Sequence, residues 1–214
     1  MKRRRFLAIA TAGSAALPVL ARGRALPAMQ QAASSGIDLA IFDDSFQEAH
    51  HFGRTMRRAG VTVRSFPGDV TALWSGYLDV RWRKSADSVA GLTDKDCFFC
   101  LSQMAVSHGV YPKFWIEHVL TAGGGIAHVI NGPADAVDRA AGKLAAASDR
   151  VPDTARLLAS LDPEHTSGIV RKSVDAGIPG PGGDIAGPRD LILVSWLMAP
   201  TRQTRLTRRV QFRR

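Results

Sequence analysis

The chain has 214 residues, of which 45% are hydrophobic, with a formal charge of +9 and two cysteines. That length and apolar content exclude a disordered chain or a small disulfide scaffold and suit one domain with its own core. The charge excludes less than it promises, because six Lys or Arg lie in residues 1–28 and six Arg in residues 201–214, with no acid in either stretch, leaving residues 29–200 at −3. A specific nucleic-acid partner is therefore not expected, whereas the basic tail suits an anionic surface by charge alone.

Arg3-Arg4-Arg5-Phe6-Leu7 stands before an apolar run, residues 8–21, that Thr11, Gly13, Ser14 and Pro18 dilute. The run is too short and too weak to span a bilayer as a helix. Two arginines, one free position and Phe-Leu resemble the core of a twin-arginine (Tat) signal peptide, carried here by Arg3, Arg4, Phe6 and Leu7. The resemblance implies a signal over residues 1–28, read by the Tat export machinery through residues 3–7, with cleavage after Ala25 or Ala28 and a periplasmic or secreted protein. Residues 29–36 are small and polar and read as a flexible lead-in.

Residues 38–42 read as a short buried strand that ends at Asp43-Asp44. Ser45-Phe46-Gln47-Glu48 has capping-box spacing and predicts a helix to about residue 59, stopped by Gly60. Residues 61–66 predict a second strand, and Leu73, Trp74, Tyr77, Leu78 and Trp82 give residues 70–84 one apolar helical face. Residues 88–92 predict a third strand, after which Thr93 or Asp94 can cap a helix to about residue 108. Three strand-helix units predict a parallel sheet covered on both faces. The glycine-rich turn 121–125 joins extended segments 111–120 and 126–130 as a hairpin, which makes the sheet mixed. Helices over 134–148 and 153–161, a Gly/Pro loop over 176–189, a last strand over 191–198 and the tail complete the chain. The expectation is one α/β domain over residues 37–200, three-layered, with a mostly parallel but mixed sheet of about five or six strands.

Ligands of such sheets bind beyond the strand carboxyl ends, which here gather Asp43, Asp44 and Ser45, then Asp69 and Thr71, then Thr93 and Asp94. Acids from adjacent strands suit a divalent cation or an amine, and the same aspartates suit helix capping. A receiver domain would add an aspartate after the third strand, where Gly91-Leu92-Thr93 stand, and no Walker or dinucleotide phosphate cradle is present. Cys97-Phe98-Phe99-Cys100 opens a helix, a setting that activates thiols for redox chemistry; the same two cysteines also suit a core stripe or a local disulfide. They are half of a zinc site. His118 and His128 face each other if the turn is symmetric, a pairing that suits a metal, proton transfer or a half-solvated hairpin rim. No cofactor follows from these patterns.

Residues 68–74 (Gly-Asp-Val-Thr-Ala-Leu-Trp), 90–93 (Ala-Gly-Leu-Thr), 99–101 and 193–196 (Leu-Val-Ser-Trp) resemble segments of small exported bacterial proteins that carry no assigned activity. Within that resemblance Cys100 is the typical cysteine and Cys97 the additional one. The expected function is an accessory periplasmic role, binding a small molecule or a partner protein at the strand carboxyl ends, with loop 176–189 as a cover. The alternatives are a thiol-redox enzyme using Cys97 and Cys100, and a metal-dependent hydrolase using His118, His128 and an acid.

Overall fold

The computed structural model describes residues 36–120, 126–145, 154–164, 168–176 and 192–211, all within the unit Ala32–Arg214. The expected signal, nearly all of the lead-in, the turn 121–125 and the loop beyond residue 176 lie outside the described residues. No helix among those described is long and apolar enough to cross a membrane.

Strand β1 (Leu39–Asp43) is buried at every position, as its unbroken apolar run requires of a strand with neighbours on both sides. It pairs in parallel with β2 (Thr62–Phe66) on one side and β3 (Val89–Asp94) on the other. Helix α1 (Gln47–Arg58) joins β1 to β2. Between β2 and β3 run α2 (Val70–Leu73), a π turn (Trp74–Leu78) and α3 (Asp79–Lys84). After β3 come α4 (Lys95–Ala105), β4 (Val110–Leu120), β5 (Ile126–Pro133), α5 (Ala134–Ala145), α6 (Thr154–Ala159), β6 (Ile169–Ala176), β7 (Ile192–Pro200) and α7 (Arg202–Gln211).

The strand order is β2-β1-β3-β7-β4-β5-β6. Seven strands are therefore present among the described residues, rather than five or six. The sheet is mixed but not mostly parallel: the two pairs made by β1 are parallel, and the pairs β3–β7, β7–β4, β4–β5 and β5–β6 are antiparallel. The cause is β7, whose residues from Leu193 to Pro200 are all buried and which inserts between β3 and β4 to find that cover. The added strand, β6, exposes Ile169 through Ser173 and so shows no alternation in the sequence.

Alternate residues of the parallel strands enter two apolar clusters. Ala40, Phe42, Ala90 and Leu92 join Phe52 and Met56 of α1 and Leu157 and Leu158 of α6. Leu39, Ile41 and Val89 join Leu78, Trp82 and Leu101. Each large side chain buried in this way contributes roughly 1.5–3 kcal/mol.

One local expectation changes, and the tail adds an element. The capping box does not form: α1 begins after Phe46, so Phe46 rather than Ser45 stands at the cap position and no side chain caps the helix, while the Ser45 N–H donates to Asp43 Oδ1 at 3.0 Å. The basic tail, for which the sequence predicts no element, is helical as far as Gln211, and its half-buried Arg205 pairs with Glu164 at 3.0 Å and donates to the Ser88 hydroxyl.

Candidate functional site

The parallel strands end together, with Asp43 opposite Phe66 and Phe42 opposite Leu92, so the turns that follow them converge on Asp43. Asp43 is 1% exposed. Its Oδ1 accepts the N–H groups of Ser45 and Gly68, each at 3.0 Å, while its buried Oδ2 has no hydrogen-bond partner among the described residues. Gly68 serves two neighbours at once: its N–H reaches Asp43, and its carbonyl accepts the Cys97 S–H at 3.3 Å. It does so at a φ of 68°, in the left-handed region that favours glycine.

Asp94 ends β3 and caps α4, its Oδ1 accepting the Cys97 N–H at 2.6 Å. One donor atom from each of Asp43, Asp94 and Cys97 lies within 4.8 Å of the other two. Burial first, then the adjacent Asp94 and Asp43 carboxylates, push the Cys97 thiol up to about 12. That is the reverse of the depressed thiol pKa that redox reactivity calls for. Cys97 and Cys100 are both free thiols, the first buried and the second exposed.

Of the other residues expected at this edge, Asp69, Thr71 and Thr93 are engaged elsewhere. Asp69 caps α2 through the Thr71 N–H at 2.8 Å, a bond that holds its carboxyl below the usual carboxylate range. The Asp44 carbonyl meets His50 Nε2 at 3.1 Å. Thr93 is buried, donating to the Asp94 carbonyl at 2.9 Å and accepting the Trp196 Nε1–H at 3.2 Å. Asp94 is legible in the sequence both as an acid at the third strand's end and as a helix cap, although the sequence ends that strand at Leu92; the strand runs two residues further and Asp94 is its last residue.

His118 and His128 are register partners, as turn symmetry predicts, with their Nδ1 atoms 2.8 Å apart. His118 Nε2 lies 2.8 Å from Ser195 Oγ, which lies 3.1 Å from Thr154 Oγ1. All four side chains are buried, which overturns the half-solvated rim: β7 flanks β4 there, and α6 brings Thr154 against Ser195. Burial, then the neighbouring His128, lowers His118 to about 3, and burial also lowers His128. Both rings are therefore neutral near pH 7, and one Nδ1 donates to the other. A tetrahedral ion between them would hold the two nitrogens about 3.4 Å apart, so at 2.8 Å they form a direct hydrogen bond. The third partner of the pair is Ser195 rather than an acid; its signal in the sequence was one hydroxyl within an otherwise apolar strand.

A cavity of about 130 Å³ lies at the other end of β4 and β5, among Lys113, Pro133, Asp135, Arg139, Ser160 and Asp162. It gathers none of the residues singled out in the sequence, and its lining contributes no buried side-chain atom without a partner among the described residues. Compared with known proteins, the chain matches no family model, no curated protein and no solved structure. Its own chemistry therefore carries the functional reading.

Proposed function

We propose that this chain is an exported, three-layer α/β accessory protein that binds a small cationic ligand at the carboxyl edge of its parallel strands. The observation that carries the reading is Asp43: a carboxylate 1% exposed, with one oxygen fixed by two backbone N–H groups and the other without a partner. An unpaired buried polar atom costs about 1–3 kcal/mol, and more when it is charged, so native proteins keep few of them. A positive charge placed against Oδ2 removes that penalty and converts it into affinity.

Export rests on Arg3, Arg4, Phe6 and Leu7, with the Tat machinery as the first partner and the periplasm as the destination. The thiol-redox alternative is disfavoured by the burial of Cys97 and the two carboxylates beside it. The hydrolase alternative requires an acid beside His118 and His128, where Ser195 stands instead.

The test is the intact mass of the protein purified from the periplasm of a Tat-competent host, first native and then denatured. The expected result is extra mass that is lost on denaturation and is missing from Asp43→Asn. A native chain with no added mass, or an adduct that survives in the variant, contradicts the reading.

A further inference from the structure

The geometry points to a divalent metal ion of the borderline class, Zn2+ in type, as the cation held by Asp43, Asp94 and Cys97; this inference rests on the binding reading above and names its ligand. The donor set is two carboxylates and one sulfur. Hard cations such as Ca2+ and Mg2+ collect six or more oxygens and leave thiols aside, and an organic ammonium gains nothing from a sulfur ligand. Sulfur together with oxygen selects a borderline ion, and three protein donors leave the fourth tetrahedral position exchangeable.

The donors stand near one another but wider than a bound ion would hold them. Ligands at about 2.0–2.3 Å from a tetrahedral centre stand about 3.4–3.7 Å from one another. The donors here lie within 4.8 Å of one another, so binding would draw them together by about 1 Å, the difference from the tetrahedral spacing. Asp43 and Cys97 are buried and Asp94 is partly exposed, so the open side of the site lies past Asp94.

The surrounding groups act as supports for metal ligands do. Asp43 is anchored through Oδ1 by the Ser45 and Gly68 N–H groups, which leaves Oδ2 to bind, and Asp94 is anchored through Oδ1 by the Cys97 N–H. The amino end of α4 is capped by Asp94 and favours that carboxylate as an anion. On binding, a metal–sulfur bond replaces the S–H bond, the proton passes to solvent, and the Gly68 carbonyl loses its S–H donor.

The experiment is a Co2+ titration of the reduced, chelator-treated protein, read by absorbance. One equivalent is expected to give a thiolate-to-cobalt charge-transfer band that Cys100→Ser keeps and Cys97→Ser loses, and Asp43→Asn is expected to weaken binding by about tenfold or more. Should Cys97→Ser not fold, X-ray absorption of the wild-type cobalt protein reads the same claim directly, as one sulfur among oxygen ligands. No band in the wild type, a band that survives Cys97→Ser, or a cobalt shell without sulfur overturns the inference. If cobalt does not bind and the native protein still carries an organic adduct that Asp43→Asn loses, the metal is wrong and the cation-binding reading stands. If neither cobalt nor any adduct is held, both fall.

Discussion

Lowering the pH from about 7 to about 4 is expected to cost this fold several kcal/mol, most of it through the buried histidine pair. His118 titrates near 3 in the folded chain, against an ordinary value of 6.5. Between those values the unfolded chain binds a proton that the folded chain does not, so stability falls as pH falls. The slope approaches about 1.4 kcal/mol per pH unit for one such group, and the loss from that group is complete below the folded value. His128 is shifted in the same direction and steepens the fall. Denaturant midpoints measured across that window should drop continuously in the wild type. They should drop much less in His118→Gln, which retains a hydrogen-bonding side chain and cannot be protonated in this range. Equal slopes in the two proteins would show that the pair is not what limits acid stability.

Gly91→Val is expected to abolish cooperative folding, and Gly91→Ala to destabilise the protein by about 1–3 kcal/mol or more. Gly91 of β3 and Trp196 of β7 are register partners, and a Cβ on Gly91 would overlap the indole ring, coming within 2.9 Å of its Cη2 atom and closer still to Cε2 and Cζ2. Trp196 has nowhere to swing, because it is fully buried and its Nε1–H is held by Thr93 at 3.2 Å. Thr93 in turn precedes Asp94, so the overlap is transmitted to the candidate site. Urea midpoints check this, with Gly91→Ala/Trp196→Leu expected to recover part of the loss. A Gly91→Ala protein of wild-type stability would contradict the packing.

Local patterns made part of this molecule legible. The apolar runs placed β1, β2 and β3, and hence the carboxyl edge that carries Asp43, and the helix expected between β1 and β2 is present without its expected cap. Turn symmetry placed His118 opposite His128 without any knowledge of the rest of the sheet. What local patterns could not reach is long-range pairing. Ser195 meets His118 across 77 positions of sequence, and that contact exists only because β7 lies between β3 and β4. Cys97 read as a redox thiol or a core residue because its helical setting was visible, while the Asp43 and Asp94 carboxylates that change its chemistry were not. The parallel character expected of the whole sheet came from its first three units, and nothing in the sequence of β7 states its direction.

The account turns on whether Asp43 is kept half unpaired for a ligand or serves the fold alone. The most direct measurement is the urea unfolding free energy of the wild type and of Asp43→Asn, each as isolated and after exhaustive dialysis against chelator. Asn retains an oxygen for the Ser45 and Gly68 N–H groups and removes a buried charge. The account therefore predicts that the dialysed variant is at least as stable as the dialysed wild type, and that only the wild type as isolated is further stabilised by what it carries. A dialysed variant weaker by about 1–3 kcal/mol, with no difference between isolated and dialysed wild type, would make Asp43 a structural residue and contradict the proposed function.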